Sequence, residues 1–294
     1  QWWGPLSTVP LADLQGAENE PAAPSAPAPS TPQPPSPEEG QKATLPFAIK
    51  SQPRRLSSQA RRRVSLAFNR QRSAYIPAIS DATARWYDEL AEEIIENLRA
   101  ANPASVRAKD PKLATLLFDI TRAGEKLAAR IKPIIAEEVD TTGSEMLGAI
   151  GIDVSFEMPS TRLQELLAKR DFAMRTVAQD AYQRVYASLA EGLANSENMQ
   201  SLTKRVLEFA EEGKERYAET VARTEAGIAA NEATREAYWA ADAVGLEWVA
   251  VMDERTRESH AQISGTVVAR GELFDLGGIQ CTGPGDPDLP AEEI

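Results

Sequence analysis

The stretch "DERTRESHAQISG", residues 253–265, contains the only histidine of the 294-residue chain. His260 follows five charged side chains and precedes Gly265. A lone histidine can act as a general base, ligate a metal, or hold a turn by hydrogen bonds. A base needs a nucleophile or a metal to act on. The chain has no G-x-S-x-G elbow, no P-loop and no Gly-rich dinucleotide motif. A structural zinc site normally takes four nitrogen or sulfur ligands. His260 and Cys281, the sole cysteine, supply two, with no C-x-x-C spacing. The expectation is therefore a structural His260 and no cofactor, with zinc on His260 and Cys281 as the alternative. In that role His260 would fix the turn between "LEWVAVMD" and "GTVV", bonding backbone or a carboxylate such as Asp253 or Glu225. Trp248 and Phe274 would form the apolar side, and Gly265 would take a turn conformation that other residues disfavour.

A second group of polar residues lies upstream. "RTEAGIAAN" places Arg223, Thr224, Glu225 and Asn231 in an Ala-rich helical segment. These residue types suit hydrogen bonds that anchor a neighbouring element. An acid/base role would need a partner nucleophile that the segment lacks. A third group is electrostatic. Lys50, Arg54, Arg55, Arg61, Arg62, Arg63, Arg70 and Arg72 lie in a stretch without acidic residues, in a chain whose net charge is −12. Such a block can contact phosphate by counterion release or dock on an acidic protein surface. The acidic balance of the whole chain favours protein docking.

The elements that must position these residues follow from pattern. Of 20 prolines, 11 lie between Pro5 and Pro46. Residues 1–52 are expected to form a disordered Pro/Ala-rich linker, because they cannot bury enough surface to offset ordering entropy. Residues 53–158 read as a helical N-terminal region. Trp86, Leu90, Ile94 and Leu98 form one stripe, with Ser80 or Asp81 at its start and Asn102-Pro103 at its end. Asp110-Pro111 opens the next helix, and its stripe runs from Leu113 to Ile135 with a kink expected at Pro133. "AIGIDVSFEMPS" breaks the pattern as a short strand or extended connection. Residues 159–294 then form a further domain. Thr161 and Gln164 fit a capping box, with a helix to Asn195 interrupted near Asp171. A short helix closes at Gly213, and a longer one covers about 214–243. "LEWVAVMD" and "GTVVARGELF" read as strands, followed by the turn-rich "GGIQCTGPGDPDLP". The fold class is mainly α (α+β): a multi-helix body with a small C-terminal β-containing cap. No apolar run is long enough to span a membrane.

The ordered set Arg223-Thr224-Glu225, Trp248, Asp253, Arg257, His260, Gly265 and Phe274 resembles the phage Mu F-like minor head protein family over roughly residues 160–294. The resemblance implies a virion structural protein near the portal. It would act in head morphogenesis and in DNA packaging or delivery, with portal and other capsid proteins, and packaged DNA, as partners. Relatives in that family are fused to portal proteins or to C-terminal toxin domains, and their closing Cys-x-Cys would follow directly after "PAEEI". The start at Gln1 and the stop at Ile294 lead to the expectation of a piece of a longer product, such as the C-terminal part of a portal fusion. Two alternatives stay open: an enzyme using His260, either a metal-dependent hydrolase or a toxin-type transferase, and a nucleic-acid-binding assembly factor using residues 50–72.

Overall fold

A computed structural model describes residues 57–101, 111–250, 256–286 and 289. The expected linker at 1–52, together with Lys50, Arg54, Arg55 and Asp253, lies outside the described residues.

Helix α1 (Ser58–Ala100) runs unbroken for 43 residues. Its start is not at Ser80 or Asp81. The Ser57 hydroxyl caps it, accepting from the Ala60 amide at 3.2 Å. The buried face continues upstream through Ile79, Gln71, Val64 and Ala60, so nothing ends the helix there. The helix expected from Asp110-Pro111 is split into α2 (Pro111–Thr115) and α3 (Ile120–Ala149). Asn97 of α1 explains the break: its side-chain amide donates to the carbonyls of Leu116 and Leu117 at 3.3 and 3.4 Å. Asp119 then caps α3, accepting from the Arg122 amide at 2.7 Å. Helix α3 continues through Pro133 to Ala149.

The chain then crosses to α4 as an extended connection without strand pairing. Ser144 Oγ accepts from the Phe156 amide at 2.8 Å, and Asp140 Oδ1 from the Met158 amide at 3.0 Å. These side-chain acceptors stand in for a strand partner. Helix α4 (Ser160–Ala194) passes Asp171 without interruption, and the proposed Thr161/Gln164 box does not form. Its N-cap is Pro159, which has no side-chain hydrogen bond to offer.

Helix α5 (Met199–Glu212) does not close at Gly213. A single π-turn, Gly213–Tyr217, joins it directly to α6 (Ala218–Ala240). The wide turn seats Tyr87 of α1, since a Cβ added at Gly213 would stand 2.4 Å from that ring. Apolar stripes of α1, α3, α4, α5 and α6 meet in one core that crosses residues 158 and 159. No helix among the described residues is long and apolar enough to cross a membrane.

Beyond α6 lies the β-cap. Strand β1 (Gly245–Glu247) pairs antiparallel with β2 (Val267–Ala269), placing Leu246 opposite Val268. The short helix α7 (Glu258–Gln262) lies between them in sequence. Strands β3 (Phe274–Leu276) and β4 (Ile279–Cys281) form a hairpin around Gly277-Gly278, whose φ values are +66° and +95°. Two successive positive φ values suit a two-residue hairpin turn, and glycine meets that need without strain. Strand β4 lies in sequence read as turn material.

Candidate functional site

The residues singled out by sequence separate into a surface pair, a buried ionic cluster and the cap. Arg223 and Thr224 face outward, and Arg223 pairs with Glu219 one turn earlier at 2.6 Å. Glu225 turns inward. Its two carboxylate oxygens accept from Arg170 of α4 at 3.3 Å each, and both side chains are 4% exposed. Burial pushes the Glu225 carboxyl above its ordinary value, and the Arg170 charge opposes that shift. Glu225 is thus committed to Arg170, which corrects its assignment as a carboxylate partner of His260.

Two further helices feed the same buried region. Glu138 of α3 is fully buried, and neither carboxyl oxygen has a hydrogen-bond partner among the described residues. Burial holds its pKa at about 9, with Arg72 pulling it down and Glu225 pushing it up. Thr142, one turn on, is also buried, with an unpartnered hydroxyl. Arg72 belonged to the expected docking block, yet its Nε is buried and its charge acts on Glu138. Arg61 likewise turns to the cap, meeting Glu247 of β1 at 2.7 Å, and Arg70 pairs with Glu145. Only Arg62 and Arg63 of the described block face solvent without an ion pair among the described residues.

Around His260 the cap has its own apolar cluster, formed by Trp248, Val268, Phe274, Leu276, Cys281 and Leu289. The His260 ring meets Trp248 edge-on at 5.1 Å, and Trp248 meets Phe274 at 5.2 Å. Gly265 has φ +88° and donates its amide to the Trp248 carbonyl at 2.7 Å. Arg257, just before α7, is exposed and engaged. Burial raises the Cys281 thiol above its ordinary pKa, which leaves it a poor nucleophile. Among the described residues no group of three or more His, Cys, Asp or Glu could hold a metal.

A cleft of about 530 Å³ separates the cap from α4 and α6. Arg235 closes its floor, donating to Thr282 Oγ1 at 2.8 Å and pairing with Glu232. Thr282 in turn donates to Asp286 through both its amide (2.8 Å) and its hydroxyl (2.7 Å). On the rim, Arg270 stacks over Trp239 at 5.4 Å. The lining has charges of both signs and contains neither His nor Cys nor Ser. Such a cleft can bind and orient, and it sets the Thr282 hydroxyl against the Asp286 carboxylate.

Arg170, Glu138 and the cleft residues were missed from sequence. A signal was present for the first two: each charge stands at a core-facing step of its helix, between Leu166 and Met174 and between Ile135 and Thr142.

The helical body thus carries a small β-cap, joined to it by the Arg61–Glu247 ion pair and the Arg235–Thr282 hydrogen bond. Residues 183–283 match the family described as Phage Mu protein F like protein, a stretch of about one third of the chain. That stretch begins inside α4 and ends past β4, and the family is the one the cap motifs resemble. The NAD(+)--arginine ADP-ribosyltransferase EFV of Enterococcus faecalis (strain ATCC 700802 / V583) is 27% identical over 133 residues, which are 44% of this chain and 26% of that protein. The chain thus spans about a quarter of the length of that curated relative. No solved structure matches the chain.

Proposed function

We propose that this chain is a non-catalytic structural protein of phage or prophage heads. It acts in head morphogenesis near the portal and serves DNA packaging or delivery, with portal and capsid proteins as partners. The match of residues 183–283 to the Mu F-like family carries the reading. The arrangement of the cap supports it: His260 and Phe274 pack on Trp248, and Gly265 donates its amide to the Trp248 carbonyl. The ADP-ribosyltransferase relative is the one observation on the side of an enzyme. Its aligned part is about a quarter of its length.

Purified virions of the producing phage, digested and analysed by mass spectrometry, should contain this chain. Deleting it should leave heads that fail to package or deliver DNA. Absence of the chain from particles would overturn the reading. Incubation with labelled NAD and an arginine-rich acceptor should transfer no label, and elemental analysis should find no stoichiometric zinc. Transfer that disappears in His260→Ala would establish the enzyme instead.

A further inference from the structure

From Phe172 to its C-terminal end, the side of α4 that looks away from the body carries no charge. At about 100° per residue, Phe172, Thr176, Gln179, Gln183, Ala187, Ala190 and Ala194 all fall within about 40° of one line along the helix. Met174, Ala181, Val185 and Gly192, which are buried, lie on the opposite side. Ala190 is half-buried and the other six are exposed. Phe172, at 74%, is the most exposed of the large hydrophobic side chains described. A solvated helix face ordinarily carries charges, and the chain as a whole is 26% charged. Yet Arg175, Asp180, Arg184 and Glu191 all stand about 60° or more from that line. Thr176 bonds its own helix, donating to the Phe172 carbonyl at 3.3 Å. The amides of Gln179 and Gln183 have no hydrogen-bond partner among the described residues.

This line is complementary to itself when read backwards about Gln183. In two antiparallel copies, Phe172 comes against Ala194, Thr176 against Ala190, and Gln179 against Ala187. Each pair sets a larger side chain on alanine, which lets two helices approach closely. Gln183 meets its own counterpart, and two carboxamides can each give a donor and an acceptor to the other. Gln179 also falls on the same flank of the contact as the other copy's Tyr186. Tyr186 stacks on Tyr182, and its hydroxyl has no hydrogen-bond partner among the described residues. The line is about 33 Å long at the α-helical rise. An acidic or basic partner would find nothing along it to pair with. A second copy matches it in size, polarity and absence of charge.

We propose that this face of α4 is a docking surface for a second copy of the chain, laid antiparallel with the two-fold axis passing at Gln183. The contact is isologous and closes as a dimer. It does not depend on the family reading.

Sedimentation velocity on the full chain tests it. A single helix from each copy makes an interface at the small end of the specific range, so monomer should pass to dimer as concentration rises. High salt should not weaken the dimer, because no ion pair holds it. Phe172→Ser should weaken it while leaving the helical circular dichroism unchanged. Gln183 gives the sharper test, because it faces itself. Gln183→Glu and Gln183→Lys should each raise the apparent Kd at least about tenfold, since each sets like charges together. An equal mixture of the two should dimerise again, because the charges across the axis are then opposite. Crosslinking adds an arm without charge. Gln183→Cys should oxidise to a disulfide-linked dimer, and Leu207→Cys on α5 should not. A wild type that is monomeric at every concentration reached would overturn the proposal. So would a dimer indifferent to Phe172→Ser or to a charge at position 183, a mixture that stays monomeric, or no disulfide from Gln183→Cys. Oligomers that keep growing with concentration would also overturn it, since they indicate head-to-tail contact.

Discussion

The Arg170–Glu225 pair joins α4 to α6 in the dry interior. A buried pair costs much of its attraction in desolvation, so removing one partner is worse than removing both. Arg170→Ala should lower stability by about 3–5 kcal/mol in denaturant titrations, because it strands the Glu225 carboxylate. Arg170→Met with Glu225→Met should recover most of that loss. A double variant as unstable as the single one would mean the pair contributes more than it costs. Glu138 acts through pH. Its folded pKa of about 9 stands above the ordinary 4.5. The stability this group contributes is full below the ordinary value and is lost as pH rises toward 9. The melting temperature should therefore fall across that window, and Glu138→Gln should flatten the fall. A steeper slope in the variant would refute the assignment. Both charges were visible in the sequence as interruptions of apolar stripes. Their pairing was not, because Arg170 and Glu225 are 55 residues apart and helical periodicity says only which face a residue takes, not what it meets.

The cap shows what periodicity can deliver for an element. Trp248 and Phe274, read as its apolar side, lie against each other, and Trp248 also meets His260. Trp248→Ala should cost about 3–5 kcal/mol and release amide-exchange protection across β1–β4. His260→Ala loses an edge contact worth about 0.5–1.5 kcal/mol beyond its area, together with its polar partner, and should loosen the same amides less. Protection in α3 and α4 should stay unchanged in both variants. Loss of protection in those helices would mean that cap and body unfold as one. Boundaries were the less legible part. Strand β4 hides among turn residues because three residues are too few for alternation to show. The α2–α3 break depends on Asn97, which reaches the carbonyls from another helix.

For the molecule as a whole, the structure reduces the apparent reach of the basic block. Arg61 and Arg72 turn into the fold and Arg70 pairs with Glu145 on the surface, which leaves Arg62 and Arg63 as the described members of the block that face solvent without an ion pair. The logarithm of DNA affinity falls with that of salt by about 0.9 per neutralised phosphate. Duplex binding by the chain from residue 57 onward should therefore be weak, with a slope no steeper than about −2. A slope of about −5 or beyond in a filter-binding titration would restore the nucleic-acid role.

The π-turn at Gly213–Tyr217 absorbs a residue without disturbing the helices on either side of it. A π-turn holds one residue more than the α-helical turn it replaces. Deleting Glu215, which is exposed, should let the run from Met199 to Ala240 rewind as plain α-helix with its circular dichroism intact. One turn is completed either way, so Glu225 should keep facing Arg170. What the deletion removes is the wide turn that seats the Tyr87 ring against Gly213. The shortened chain should therefore be less destabilised than Arg170→Ala in denaturant titrations, and a loss as large as that of Arg170→Ala would mean that the extra residue sets the register of α6. The run from α5 to α6 thus tolerates a change of length at one place, and there the cost falls on a single aromatic ring of α1.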